Sequence, residues 1–242
     1  MELAPGLRRI GGGIANVYLL EEAGAVTIID AGMPGHWREV PGELAAMGRS
    51  LGDVRAVVLT HGHSDHVGFA ERLRSERDVP VEIHEADAAL ARGEVPNPSR
   101  GWGKWSVGPT LSFLLYGLRR GGLRAIPIKE VITFGDGATL DLPGSPRVIH
   151  VPGHTPGCAA LLVPGHGALF VGDALATYSV LSGARGPMIA PFSADPEQAL
   201  GSLSRLGGLD ASLVLPGHGE PWTEGIDLAI AAVRASFVPV RS

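Results

Sequence analysis

The sequence predicts an α/β fold in a single domain that spans residues 1–242. Short apolar runs that are typical of buried strands alternate with segments whose apolar residues recur at helical spacing. Strands and a helical pattern come first, and strands and helices then come again. A chain of 242 residues is long enough for one domain with a sizeable core, or for two small ones.

The first half is predicted to contain strands that lead into a polar turn. Strands are expected within residues 7–29, and an apolar run at 56–59 predicts a buried strand ahead of a helix at 67–74. The other expected elements are a surface helix at 37–50, a strand at 79–83 and a helix near 85–92. His84 lies at the last junction, either as a structural histidine or as a group that touches the site.

Residues 93–129 interrupt this pattern. Several prolines and glycines predict a loop, followed by a short apolar helix at 110–120, and Trp102 and Trp105 add aromatic surface. A long connection inside a compact domain is often a lid or a binding loop. The segment is therefore interpreted as a lid over a cleft, a helical pair packed outside the sheet, or a dimer contact.

The second half is predicted to be a β-meander followed by helices. Residues 131–171 contain five apolar runs separated by turn residues, and 174–190 are expected to be irregular. Asp195 and Pro196 predict a helix start at 196–206, because Asp caps helices and Pro suits their first position. A strand at 212–215 and a closing helix at 224–237 complete the chain.

The turn after the predicted strand at 56–59 concentrates metal-binding side chains. It holds three histidines and one aspartate within six residues: His61, His63, Asp65 and His66. Gly62 lets the backbone bend so that the first two imidazoles can face one ion. Imidazole with carboxylate suits zinc, iron or manganese, and zinc favours a nitrogen-rich set that keeps one position open for water.

His61-x-His63-x-Asp65-His66 resembles the signature of the metallo-β-lactamase fold superfamily. The match continues in order with loops around four further residues: Asp30, His154, Asp173 and His218. The resemblance implies a four-layer αβ/βα sandwich of the metallo-β-lactamase type with metals at one edge. It also implies that Asp30, which ends a predicted strand, orients the loop that carries the metal ligands. The sequence alone equally allows an aspartate that forms a turn or a helix cap.

The same resemblance implies two divalent metal ions, with zinc favoured and iron or manganese as alternatives. One ion takes His61, His63 and His154, the other takes Asp65, His66 and His218, and Asp173 bridges them. In such sites a metal-bridging hydroxide, formed from a water whose pKa falls toward about 7, attacks the substrate. Asp65 is expected to act as a catalytic residue that orients the hydroxide and passes on its proton.

The function implied is hydrolysis of an ester, lactone or thioester bond in a small apolar substrate. The bridging aspartate resembles that of glyoxalase II-like thioesterases, lactonases and phosphodiesterases, and true β-lactamases lack it. Only 24 residues follow His218, too few for the glutathione-binding extension of glyoxalase II. The alternatives are a phosphodiesterase-type hydrolase, a mononuclear iron persulfide dioxygenase and a scaffold protein with a vestigial metal centre.

Composition limits the partners and the compartment. The net charge of −5 with scattered basic residues argues against a nucleic-acid partner. No signal peptide and no membrane span are predicted, so we expect a cytoplasmic protein without a membrane partner. The single cysteine, Cys158, excludes an internal disulfide and suits a reducing compartment. The oligomeric state is left open.

Overall fold

A computed structural model describes residues 1–99, 103–122 and 126–237. Its first sheet has seven strands whose spatial order follows the chain. They are β1 (Glu2–Ala4), β2 (Leu7–Ile10), β3 (Val17–Glu22), β4 (Ala25–Ile29), β5 (Val54–Leu59), β6 (Val81–His84) and β7 (Ile132–Phe134). The sheet is antiparallel from β1 to β4 and parallel from β4 to β7.

A second sheet is built from the C-terminal half. β8 (Arg147–His150), β9 (Ala159–Val163) and β10 (Ala168–Gly172) form antiparallel pairs. A separate hairpin of β11 (Ala176–Tyr178) and β12 (Arg185–Met188) follows. β13 (Leu213–Pro216) then returns to lie parallel to β10. The carboxyl ends of β10 and β13 therefore meet at one edge of the sheet.

Six α-helices accompany the sheets in the part of the chain that the structure describes. They are α1 (Val40–Ala46), α2 (Ala70–Arg77), α3 (Ala88–Ala91), α4 (Val107–Arg119), α5 (Pro196–Ser202) and α6 (Ile226–Ser236). None of the helices described is long and apolar enough to cross a lipid bilayer.

Three separate apolar cores define four layers, because neighbouring strand residues point to opposite faces of a sheet. In the first sheet, Val57 packs toward the core that includes α1 and α2, and Val58 packs into the core between the sheets. In the second sheet, Phe170 faces that central core, and Leu169 faces the core that includes α5 and α6. The predicted four-layer αβ/βα sandwich is confirmed.

Two parts of the predicted meander were wrong. β7 pairs in parallel with β6 and so belongs to the first sheet, a long-range pairing that local turn residues do not report. The run at 138–142 forms an isolated bridge at Thr139 in place of a strand. The flanking prolines Pro143 and Pro146 lack the N–H groups that a longer ladder would need. Residues expected to be irregular at 174–190 contain the β11–β12 hairpin instead.

Helix α4 is attached to both halves of the molecule. At its start, the Ser106 N–H and the Thr110 hydroxyl both donate to the Leu181 carbonyl, at 2.9 and 3.0 Å. At its end, the Gly35 N–H donates to the Arg120 carbonyl at 2.7 Å, and Arg120 forms a salt bridge with Glu39. The helix predicted at 110–120 is thus present, and it connects the two halves of the molecule. Trp102, named with Trp105 as aromatic surface, lies outside the described residues.

A buried histidine, His36, holds the C-terminal end of helix α4 in place. His36 Nδ1 accepts from the Met33 N–H at 2.8 Å, so Nε2 carries the hydrogen that it donates to the Tyr116 hydroxyl at 2.7 Å. Tyr116 in turn donates to the Gly11 carbonyl at 3.1 Å. Burial, followed by the nearby Arg120 guanidinium, lowers the pKa of His36 to about 4.

This pKa makes folding stability dependent on pH. Because the folded pKa of about 4 lies below the reference value of 6.5, stability is present above pH 6.5 and is lost as pH falls toward 4. Between pH 7.5 and pH 5 we expect His36 to account for a loss of about 2 kcal/mol in the free energy of unfolding.

His36→Gln keeps one acceptor and one donor but does not titrate. In metal-free urea unfolding the variant should lose about 2 kcal/mol less than the wild type over this range. Equal losses in both proteins would contradict the assignment.

Candidate metal centre

The candidate site lies where four strand ends meet. The loop at 60–66 follows β5, and His154 lies in the turn between β8 and β9. Asp173 directly follows β10, and His218 lies two residues after the end of β13. The two sheets are tied together here, because the Ala159 N–H donates to the Thr60 carbonyl at 2.9 Å. Side chains from both halves of the fold therefore converge on one small volume.

All seven residues predicted as ligands come together there. Their candidate ligand atoms form three overlapping groups, each with all atoms within 4.8 Å of one another: His61, His63 and His154; His61, His66 and Asp173; and Asp65, His66 and His218. Asp173 Oδ2 lies 3.3 Å from His154 Nε2 and 3.1 Å from His218 Nε2. Asp65 Oδ2 lies 3.4 Å from His218 Nε2. The carboxylate of Asp173 therefore borders both predicted ligand sets.

Each imidazole is held through the nitrogen that points away from the centre. The outward contacts are His61 Nδ1 to Thr60 Oγ1 (3.1 Å), His63 Nε2 to Asn97 Oδ1 (2.9 Å), His66 Nδ1 to Asp30 Oδ2 (2.8 Å), His154 Nδ1 to Ser193 Oγ (3.1 Å), and His218 Nδ1 to the Ile14 carbonyl. Thr60 and Ser193 each donate their own hydroxyl hydrogen elsewhere, so they accept here. Each neutral ring therefore turns a lone pair inward.

These inward atoms fit a metal centre. His61 Nε2, His66 Nε2 and Asp173 Oδ1 are buried and have no hydrogen-bond partner. His63 Nδ1 and His154 Nε2 face each other at 2.9 Å. Two lone pairs at that distance repel unless a cation or a proton lies between them. A buried set of imidazole and carboxylate donors satisfies its polar atoms when it holds divalent ions such as zinc or iron.

The electrostatics of the cluster favour bound positive charge. Burial lowers the pKa of His154 to about 3 and that of His61 well below its usual value, so these rings are neutral donors. Burial also opposes protonation of His66, but Asp30 and Asp173 outweigh it and raise its pKa to about 10. Although burial alone would raise the pKa of Asp173, His218 and His66 hold it well below its usual range. The ionised carboxylates thus attract a cation into the site.

A family model described as the metallo-beta-lactamase superfamily matches residues 10–218. The chain belongs to the metallo-beta-lactamase superfamily. It is 32% identical over 238 residues to the probable metallo-hydrolase YflN of Bacillus subtilis (strain 168), covering 92% of this chain and 87% of that protein.

Two further relatives in the superfamily carry more specific descriptions. A hydroxyacylglutathione hydrolase of Alkalilimnicola ehrlichii (strain ATCC BAA-1101 / DSM 17681 / MLHE-1) is 33% identical over 186 residues, which cover 76% of this chain and 54% of that protein. A crystal structure of TTHA1623 in a di-iron-bound form superposes with a TM-score of 0.61 at 28% identity, covering 92% of this chain and 96% of that chain.

Asp30 is one residue that holds candidate ligands of this metallo-beta-lactamase site in place. It adopts a left-handed backbone conformation, with φ of 59°, at the end of β4. Its carboxylate accepts hydrogen bonds from the Thr60 N–H at 2.8 Å, from the Thr60 hydroxyl and from His66 Nδ1. It therefore orients His66 and the start of the ligand loop, as the resemblance implied.

Asp87 is a second supporting residue, and sequence reasoning missed it. This buried carboxylate accepts from the Gly62 N–H at 2.8 Å, the Thr155 hydroxyl at 2.7 Å and the Gly157 N–H at 2.6 Å. It joins the loop that carries His61 and His63 to the loop that carries His154. Its only sequence signal is an acidic residue at the start of a predicted helix, which is common and therefore uninformative.

Glycine allows the closest approaches around Asp173. A Cβ atom on Gly217 would overlap the Asp173 carboxylate and the His66 ring. A Cβ atom on Gly172, which has a φ of 49°, would overlap the Thr60 side chain. Only a residue without a side chain fits at these two positions.

Several other candidate residues lie outside the metal groups. His84 stacks on His150 with ring centroids 4.1 Å apart, which agrees with a structural role. Cys158 is buried, and burial raises the pKa of its thiol well above the usual value, so it is not an activated nucleophile.

A cavity of about 220 Å³ adjoins the His63 side of the centre. Its lining is mainly apolar and includes Val67, Leu90, Ala91, Val95, Ile126 and Pro127, together with Asn97, which holds the His63 ring. Trp105, predicted as part of a possible lid, does not line this cavity and is 60% exposed.

Proposed function

We propose that this metallo-hydrolase is a binuclear enzyme that cleaves an ester, lactone or thioester bond in a small apolar substrate. The observation that carries the proposal is the position of Asp173 between the two predicted ligand sets, with its oxygens 3.1 to 3.7 Å from three imidazole nitrogens. Asp173 would therefore contribute its carboxylate to the binding of both ions. The first set would be His61, His63 and His154, and the second Asp65, His66 and His218.

The chain's own residues would position the reacting groups. Two bound divalent ions would supply Lewis acidity, lowering the pKa of a shared water and polarising the carbonyl to be cleaved. Asp65 is the more accessible carboxylate, with 19% side-chain exposure against 3% for Asp173. We propose that Asp65 both holds an ion and moves a proton toward the leaving group.

The choice of metal and bond rests on donor chemistry and on relatives. A set with five imidazoles favours zinc, and the di-iron form of the TTHA1623 structure supports iron as the alternative. The activity named for the hydroxyacylglutathione hydrolase supports a thioester as one substrate class. Because this chain spans about half the length of that relative, glutathione itself is not proposed as the carrier.

A substrate panel run on a preparation with quantified metal tests the proposal. We expect turnover of esters, lactones or thioesters, no turnover of phosphodiesters, and about two ions per chain. In ¹⁸O-labelled water, a single turnover should place solvent oxygen directly in the acid product. An acyl-enzyme trapped by mass spectrometry would contradict direct hydrolysis. Oxygen consumption with a persulfide substrate and one iron per chain would replace this function with that of a dioxygenase.

The cavity beside His63 predicts a dependence on acyl-chain length. Val95 lines the cavity and is 47% exposed, so Val95→Trp can place bulk in the cavity without disturbing a core. We expect KM for long-chain esters to rise at least about tenfold, with acetyl esters and metal content unchanged. Ile132→Trp is the matched control, since Ile132 is 54% exposed and lines a separate depression with Val79 and Val81. Equal effects of Val95→Trp on short and long esters would exclude the cavity as the acyl site.

A further inference from the structure

Helix α4 presents an apolar stripe to solvent. Five residues at helical spacing share one face of the helix and are strongly exposed: Val107 (70%), Leu111 (53%), Leu114 (47%), Leu115 (42%) and Leu118 (57%). Together with neighbouring Trp105, which is 60% exposed, they form an apolar patch of the kind that marks interaction sites. Such a surface is expected to contact a membrane or another protein chain.

The stripe is a fixed feature of the surface. The opposite face of α4 includes Thr110 and Gly117, which are buried. Hydrogen bonds to Leu181 at one end and to Gly35 at the other hold the helix in place. The helix cannot turn its leucines inward without breaking these contacts and exposing the buried face.

The sequence around α4 is basic. Between positions 95 and 128 the sequence has five Arg or Lys residues and no carboxylate, although the whole chain carries a net charge of −5. Lys104 and Arg119 lie at the two ends of α4 and are exposed. Within the described residues neither forms a salt bridge, whereas Arg120 is neutralised by Glu39. The apolar face is therefore bordered by two exposed basic side chains that form no salt bridge within the described residues.

We propose that the outer face of α4 docks on an anionic lipid surface. An apolar helical face with basic residues at its borders is the combination that binds the interface of acidic bilayers, lying in the plane of the membrane. A second copy of the chain fits less well. An antiparallel pair of α4 helices would place Lys104 of one copy beside Arg119 of the other, and like charges in contact oppose association.

This inference changes one expectation from the sequence. No membrane partner was expected, on the ground that no segment spans a bilayer, and a surface-bound helix needs no span. The inference does not depend on the reaction catalysed.

Co-sedimentation of the metal-loaded protein with lipid vesicles tests the proposal. Binding is expected with vesicles of phosphatidylglycerol and phosphatidylcholine in equal parts, and at least tenfold weaker partitioning with phosphatidylcholine alone. Leu111→Ser with Leu115→Ser should reduce partitioning at least tenfold, and Lys104→Glu with Arg119→Glu should do the same. Leu228→Ser on α6 is the control, because Leu228 is an equally exposed leucine (55%) on another helix.

Two results would overturn the proposal. One is equal partitioning of the wild type and both stripe variants, with circular dichroism showing that all of them are folded. The other is a dimer by sedimentation velocity that the Leu111→Ser and Leu115→Ser changes convert to a monomer, since the stripe would then be an interface between copies. Hydrolysis of a short water-dispersed ester provides a separate check that the variants retain an intact site.

Discussion

Asp173→Ala is expected to lose at least one bound ion and at least about a thousandfold in kcat/KM. The carboxylate borders both candidate ligand sets, with Oδ2 3.3 Å from His154 Nε2 and 3.1 Å from His218 Nε2. Removing it also removes negative charge that raises the pKa of His66 and His218. Plasma emission spectrometry after gel filtration measures the ions, and the best substrate of the panel measures turnover.

Two further variants make this result interpretable. Asp136→Ala removes an exposed aspartate that forms a salt bridge with Arg205 and is not among the candidate ligands, so metal content and turnover should stay at the wild-type level. Asp173→Asn preserves the shape of the side chain in case the alanine variant does not fold. If either Asp173 variant kept two tightly bound ions and full turnover, Asp173 would not be the bridge.

Asp87→Asn is expected to have the largest effect on stability. The carboxylate accepts three hydrogen bonds in a buried position, and an asparagine amide would turn its NH₂ group toward at least one of the donors. We expect the free energy of unfolding to fall by about 3 kcal/mol and Tm to fall by roughly 6–12 °C. Both should be measured in a chelator, so that metal binding does not contribute.

The same variant should also bind metal more weakly. Because Asp87 joins the loop of His61 and His63 to the loop of His154, its loss should weaken metal binding about 10- to 100-fold. Asp195→Asn is the control, since Asp195 caps α5 by accepting from the Glu197 and Gln198 N–H groups and asparagine caps equally well. A Tm within 2 °C of wild type for Asp87→Asn would mean that the two loops are held together by other contacts.

The candidate ligand residues could be picked out from the sequence because each lies in a short local motif. His61, His63, Asp65 and His66 share one turn, and His154, Asp173 and His218 each follow an apolar run. The residues that hold the candidate ligands in place were mostly not predictable, because they are distant in sequence from their partners. Asn97 contacts His63 from 34 positions away, and Asp87 contacts Gly157 from 70. Asp30 was the exception, because it ends a predicted strand and its position resembles that of an early supporting aspartate in the superfamily.

The sheet pairings show the same contrast. Strand β4 lies within the residues predicted to form strands, since its run of β-branched residues is a local signal. The placement of β7 depends on hydrogen bonds to β6, which lies nearly fifty positions earlier, so a turn-based argument assigned it to the wrong sheet. The β11–β12 hairpin was missed for a related reason, as it pairs only with itself and is short.

The outward hydrogen bonds of the five imidazoles have a thermodynamic consequence. Since Thr60, Asn97, Asp30, Ser193 and the Ile14 carbonyl hold the rings from outside, these contacts limit how far the donors can turn when ions bind. Metal uptake would then proceed by exchange of protons for ions, with little rearrangement of the chain. Calorimetry should accordingly show a heat of binding that varies with the ionisation enthalpy of the buffer, together with a heat-capacity change close to zero.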